Sequence, residues 1–427
     1  MSTPASRPPW LSAACATGVL GDTLRVLAAR EQTRERLRGT SRQTSRANNL
    51  RSTLKSQITG KESSNQYSVA TGSSEENSRR NRYYQLEPYD RTRVVLSAGD
   101  GTSATTTNAP SSHGRYLNAS WILEHFGHKW WIATQAPLPN TAHTFLSMIS
   151  HPVMRPPPAL LPPASYPPYP TTRIRTVVQL TNIIESGRRK AHAYFPSAVG
   201  KFIIVPAEED HAFPALKVTL LHLETIQDAN CVKSTISVVP VTKPPSRNAQ
   251  TFDYMDEEEY ADGKDRYGEQ SDARVIFTHL LYTSWPDHGV PEAEDRTTLL
   301  QFLRLTDRIN RDTSLSSYPP TKSDVIDSSL DPDPPIIVGC SAGVGRTGTF
   351  IALSSLLRDL NELPPPAFAT PSSVLPPSPL GPLPERFRDD RVAVEIDSLR
   401  EQRQRMVERQ EQAILIYEML LDLYEGS

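Results

Sequence analysis

This 427-residue chain is poor in cysteine, has no long apolar run and carries almost no net charge. Three cysteines, Cys15, Cys231 and Cys340, cannot build a disulfide framework and suit a reducing compartment. No stretch approaches the ~18 consecutive apolar residues of a membrane span. The segment Met1–Leu20 is only weakly apolar and is broken by Pro8, Pro9 and Trp10, which makes a poor secretory signal. With 46 Lys+Arg against 48 Asp+Glu, the formal charge is −2, whereas nucleic-acid-binding domains usually carry a strong basic excess. Cys15, Cys231 and the ten histidines show no ligand spacing, so neither metal nor other cofactor is expected. These absences describe a soluble intracellular protein, expected in the cytoplasm with nuclear placement also open, and expected to be a monomer.

Proline, by contrast, is plentiful at 38 residues. Three proline-rich or polar stretches, Pro156–Pro170, Thr313–Pro335 and Pro364–Pro384, interrupt otherwise periodic sequence. A fourth, Phe252–Asp272, is acidic. Proline cannot continue a helix or donate to a ladder, so these segments are read as loop insertions, at about 152–172, 240–272, 313–334 and 362–388. They could also serve proline-recognising modules. Charge is uneven: Met1–Arg82 holds 14 Lys+Arg and 6 Asp+Glu, leaving the remainder at −10. Residues 1–78 are therefore expected to form a basic arm, with one helix over Val19–Leu37 and a disordered linker after it. Such an arm could make weak contact with anionic membrane or RNA, although a solvated tail is the plainer reading.

Apolar and β-branched runs predict strands over Ile174–Leu180, Lys217–Leu223, Ser234–Val239, Arg274–Leu281 and Pro335–Gly339. Helical spacing occupies Thr141–Ile149, Glu294–Ile309, Gly345–Leu360 and Gln410–Tyr424. The pattern indicates an α+β (α/β-type) domain with helices flanking a mixed sheet.

The most informative stretch is Ile336–Phe350, IIVGCSAGVGRTGTF. A buried strand runs into Cys340, then a turn of Ser341, Ala342, Gly343, Val344 and Gly345, then Arg346 and Thr347 at a helix start. The glycines let successive N–H groups point inward as an anion nest, and the helix N-terminus adds positive potential there. Arg346 offers a planar fork for two phosphate oxygens. A cysteine in that field is placed as a nucleophile beneath a bound phosphoryl group.

The full string resembles the signature loop of the protein tyrosine phosphatases, and other motifs follow in that family's order from about Asn81 to Tyr424. Trp285-Pro286-Asp287-His288-Gly289-Val290-Pro291 resembles the mobile loop whose aspartate is the general acid. Asn81-Arg82-Tyr83 and Pro88-Tyr89-Asp90 resemble the loop walling the phosphotyrosine pocket, which implies that Tyr83 stacks on the substrate ring. Arg115–Ser120 and Trp131–Pro137 resemble core motifs. Glu185…Lys190 resembles a loop in which the glutamate orients the arginine, here Arg346, and the lysine approaches the aspartate, here Asp287. Arg400–Gln412 resembles the loop whose second glutamine, here Gln412, lies near the hydrolytic water.

The resemblance implies a tyrosine-specific phosphatase domain over 79–427, with a highly twisted sheet, phosphotyrosine proteins as substrates and a cysteinyl-phosphate intermediate. Proline- and serine-rich inserts resemble non-receptor, fungal members, whose targets include MAP kinases. Four departures stand out: Gly339 for a histidine, Gln85 for an aspartate, Glu408 for the first glutamine and Ala191 for a cysteine. A carboxylate at 408 is expected either to oppose the phosphate and slow the second step, or to turn to solvent. The rival readings are a weak or inactive phosphotyrosine-binding module on the same scaffold and a dual-specificity or lipid phosphatase. Tyr83 and the WPDHGVP string disfavour the latter.

Overall fold

The structure, a computed structural model, describes residues 6–51, 66–96, 115–150, 172–207, 213–241, 273–287, 289–317 and 330–425. Most of the first three inserts, and residues 52–65 of the linker expected between Leu37 and Ser78, lie outside the described residues; the rest of that linker is ordered as the end of the helix over Val19–Arg51 and two short helices, Ala70–Ser73 and Glu75–Ser78. The strands are β1 (Arg93–Leu96), β2 (Arg115–Leu123), β3 (Trp130–Gln135), β4 (Thr176–Gln179), β5 (Ile184–Glu185), β6 (Arg188–Arg189), β7 (Phe202–Val205), β8 (Ala215–Ile226), β9 (Cys231–Val241), β10 (Val275–Tyr282) and β11 (Ile336–Cys340). The helices are α1 (Pro9–Ala14), α2 (Val19–Arg51), α3 (Ala70–Ser73), α4 (Glu75–Ser78), α5 (Ala142–Ser150), α6 (Ala293–Arg311), α7 (Gly345–Asp359), α8 (Arg391–Gln402) and α9 (Gln410–Glu425).

Nine strands form one mixed sheet in the order β1-β2-β3-β11-β4-β10-β9-β8-β7, and β5 pairs with β6 as a separate hairpin. Strand β11 runs parallel to both β3 and β4, and all five of its residues are buried. That is why it reads as a continuous apolar run rather than an alternating one. Alternation persists within it: Ile336 and Val338 pack toward α6, α7, α8 and α9, while Ile337 packs toward α5. The sheet is thus covered on both faces, an α+β architecture with Cys340 at the end of its central strand.

The five expected strands and four expected helices are all present within a few residues of their predicted limits. Strands β2 and β3 carry buried polar residues such as Asn118, Ser120, Thr134 and Gln135, so no β-branched run announces them. Helix α8 is equally masked by its charge.

The N-terminal segment differs most from expectation. Helix α2 extends to Arg51 and is packed on the domain rather than solvated. Leu11, Ala14 and Leu27 join the same apolar core as α7, α8 and α9. Arg30 makes a two-pronged contact with Asp397 at 2.9 and 2.8 Å. Arg34, fully buried, meets Asp397 at 2.6 Å and Glu401 at 2.7 Å. The insert over 362–388 is likewise a strap laid against this helix. Arg30 donates to the carbonyls of Leu380 (3.2 Å) and Gly381 (2.7 Å), and Arg386 meets Asp22 at 3.1 Å. Its backbone is therefore occupied within the protein. For the helix the physical reason is charge complementarity, its arginines meeting the carboxylates of α8; for the strap it is the supply of donors to its carbonyls.

Removing one partner of a buried ion pair leaves an uncompensated charge. Arg34→Ala is expected to lower unfolding stability by about 3 kcal/mol, read from the urea midpoint. An unshifted midpoint would show that the Arg34 ion pairs contribute nothing to the stability of the folded domain.

Candidate active site

Cys340 closes β11, and α7 begins at Gly345, so the intervening loop lies over a helix N-terminus. The loop's shape is set from beneath. Gly343 adopts φ +71°, and a Cβ there would lie 2.2 Å from the Thr134 carbonyl oxygen, which admits only glycine. The Gly343 amide donates to Cys340 Sγ at 3.3 Å. Arg403, completely buried, donates from Nε to the Gly343 carbonyl (2.7 Å) and from Nη2 to the Ala342 carbonyl (3.3 Å). It is anchored by Asn118 Oδ1 at 2.7 Å and Ser120 Oγ at 3.0 Å. Burial lowers its pKa to about 10, still far enough above neutrality to keep the charge. Sequence reading missed Arg403, since an arginine among REQRQR looks like a solvated helix end.

Val344 is buried, and its carbonyl accepts from the amides of Gly348 (2.8 Å) and Val407 (3.3 Å). Gln412 is buried against the loop; the Cβ position of a residue at 345 would lie 2.9 Å from both its side-chain heteroatoms. Thr347 is fully buried behind Arg346, and its hydroxyl has no hydrogen-bond partner among the described residues.

Arg346 is held by a carboxylate fork. Nη1 donates to Glu185 Oε1 (2.7 Å) and Nη2 to Oε2 (2.9 Å). Glu185 is in turn fixed by the Thr181 hydroxyl at 2.8 Å and the Asn182 amide at 3.0 Å. The β5–β6 hairpin that carries it turns through Ser186 and Gly187, both at positive φ (46° and 73°), the geometry of a tight two-residue turn. Arg346 also donates to the carbonyls of Leu180 (2.8 Å) and Pro286 (2.9 Å). The Trp285–Asp287 segment is thereby folded onto the arginine, with Trp285 buried in the core.

Lys190 Nζ lies 2.6 Å from Asp287 Oδ1. That hydrogen bond holds the Asp287 carboxyl well below the ordinary carboxylate range. Tyr83 OH and Ser341 Oγ are 2.7 Å apart, and Ser341 Oγ donates to the Lys190 carbonyl at 2.6 Å. Tyr83, Ser341, Lys190, Asp287, Arg346 and Glu185 are therefore brought together at the loop that Cys340 opens.

Among the departures, Glu408 is exposed and faces Arg405 at 3.7 Å, the second of the two alternatives that the sequence leaves open. Gly339 pairs with Thr134 across β11–β3; Ala191 is buried. Gln85 is exposed with φ +64°. Cys231 is a core residue of β9, its thiol pushed up to about 12 by burial. No group of three or more His, Cys, Asp or Glu among the described residues is placed to hold a metal, and no described helix is long and apolar enough to cross a membrane.

A cysteine in an anion nest, with a fixed arginine and a carboxylate beside it, defines a phosphoryl-transfer site. The family model described as protein-tyrosine phosphatase matches residues 77–154 and 171–372, and the chain belongs to the protein-tyrosine phosphatase family. It is 30% identical over 289 residues to receptor-type tyrosine-protein phosphatase eta of Gallus gallus, covering 67% of this chain and 14% of that protein. It is 29% identical over 295 residues to receptor-type tyrosine-protein phosphatase H of Homo sapiens, covering 69% and 19%. Against tyrosine-protein phosphatase non-receptor type 9 of Homo sapiens it is 28% identical over 287 residues, covering 67% and 36%. The chain spans less than a fifth of the receptor-type relatives named here.

A side chain at 339 would place Cβ 2.8 Å from the Thr134 carbonyl oxygen and 3.2 Å from Thr134 Cγ2. Gly339→His is accordingly expected to destabilise by about 1–3 kcal/mol through overpacking, measured as a lowered urea midpoint. An unchanged midpoint would show that Thr134 yields freely.

Proposed function

We propose that this chain hydrolyses phosphotyrosine in proteins through a cysteinyl-phosphate intermediate. The observation that carries the reading is the Cys340 loop, with its amides curled over a helix N-terminus and Arg346 clamped by Glu185. In the first step Cys340 Sγ attacks phosphorus, the P–O(aryl) bond breaks, and the leaving phenolate takes a proton from Asp287. In the second, water attacks the thiophosphate, Asp287 takes a proton from it, and inorganic phosphate leaves as the thiolate is restored. Loop amides and Arg346 stabilise charge on the equatorial oxygens in both steps. Gln412 positions the water; Tyr83 lines the substrate ring and gives the pocket a depth suited to phosphotyrosine over phosphoserine.

Asp287 must be protonated for the first step, yet Lys190 favours its anion. A dianionic phosphate ester entering beside it acts in the opposite sense, since a neighbouring like charge raises a carboxyl pKa. Substrate binding thus supplies the proton donor's protonated form. The proline- and serine-rich inserts support a non-receptor, fungal-type assignment, with cytoplasmic placement and MAP kinases among the substrates.

Hydrolysis of p-nitrophenyl phosphate tests the reading directly, and Cys340→Ser is expected to abolish turnover while leaving phosphotyrosyl-peptide binding intact. Turnover surviving in that variant removes the nucleophile assignment.

Asp287→Ala should lower kcat by about 10²–10⁴ with little change in peptide affinity. Lys190→Met should raise the Asp287 pKa and move the alkaline limb of the kcat/KM profile to higher pH. A rise in KM with kcat unchanged in Asp287→Ala would make Asp287 a binding residue instead.

A further inference from the structure

Helix α2 bears arginines at every fourth position, Arg30, Arg34, Arg38 and Arg42, which places them along one face. The first two engage α8 and the strap; the last two reach the loop that carries Tyr83. Arg38 donates to Tyr89 OH at 3.0 Å. Arg42 donates to Glu87 Oε2 from Nε (3.2 Å) and Nη2 (2.6 Å), and from Nη2 to the Gln85 carbonyl at 3.1 Å.

We propose that Arg42 is a positioning residue for the aromatic wall of the phosphotyrosine pocket, reaching Tyr83 through Gln85 and Glu87. This rests on the reading that Tyr83 lines that pocket. Gln85 sits two residues from Tyr83 with φ +64°, a left-handed conformation that a side chain disfavours and that persists only where surroundings over-determine it. The guanidinium of Arg42 bridges that residue's carbonyl to the carboxylate of Glu87, a residue whose backbone is held from other directions. Glu87 is buried at 4% exposure, and its carbonyl accepts from Gln404 Nε2 at 2.5 Å. The adjoining Leu86 carbonyl accepts from Asn118 Nδ2 at 2.9 Å. Gln85 itself is exposed, and the contact from Arg42 ties it to the anchored Leu86–Glu87 segment. A planar fork suits this bridge, and a lysine ammonium could satisfy only part of it. The basic arm acts, in this account, as a strut whose far end sets where the ring wall stands.

The test is made on the full chain in the Cys340→Ser background, where affinity is read without turnover. Losing a bridging charged hydrogen bond should weaken phosphotyrosyl-peptide and phenyl phosphate binding about three- to tenfold by calorimetry. Inorganic phosphate, which has no ring to meet Tyr83, should bind unchanged. Arg42→Lys should recover part of the loss. Arg36→Ala, which removes an exposed arginine of the same helix whose partner among the described residues is Gln32 (3.3 Å), should alter neither ligand. Unchanged affinity for the ring-bearing ligands in Arg42→Ala overturns the proposal, as does an equal loss for inorganic phosphate, which would indicate general damage to the site. If the parent chain shows no turnover yet the ring-bearing ligands respond as stated, the activity reading fails and the strut stands.

Discussion

The polypeptide between Cys340 and Arg346 has to curl with its amides toward one point, and that demand is met by a buried guanidinium underneath it. Carbonyls and amides alternate along a chain, so amides converge on one side only if the carbonyls are satisfied on the other. Arg403 supplies that other side for Ala342 and Gly343. The surrounding design follows from this. Asn118 and Ser120 of β2 are polar because they hold Arg403. Glycine occupies 343 because the Thr134 carbonyl lies directly against it.

What a reader could take from the sequence and what stayed hidden divide along a physical line. The Ile336–Cys340 strand, the glycine turn and the following helix are local, and local chemistry is written in adjacent residues. The Trp285–Asp287 loop and the Glu185–Lys190 hairpin carry turn signals and were legible through their resemblance to family motifs. Arg403 was not, because nothing in its neighbours distinguishes a buried arginine from a solvated one. The N-terminal arm was misjudged for the same reason. Its positive excess has its counterpart in Asp397 and Glu401, more than 360 positions away, and composition says nothing about pairing at that range. Glu408 illustrates the converse: its residue type left conflict with a phosphate and a turn to solvent equally open, and the direction of its side chain, beside Arg405, decides for the latter.

The charge asymmetry therefore describes an internal interface rather than a binding surface. Arg30, Arg34 and Arg42 meet carboxylates of the domain, and the fully buried Arg34 satisfies two of them. Burying such groups is expensive unless each has its partner, so the arrangement specifies where the helix lies more than it adds stability.

The arm's distant partners also impose an order of events on folding. Helix α2 is synthesised before its partners, and Asp397 and Glu401 follow only after some 367 further residues. At translation rates of 5–20 residues per second that interval is roughly 20–70 s. Throughout it, an arginine-rich segment is present without the carboxylates that it meets in the folded chain. The helix is made long before the carboxylates that hold it.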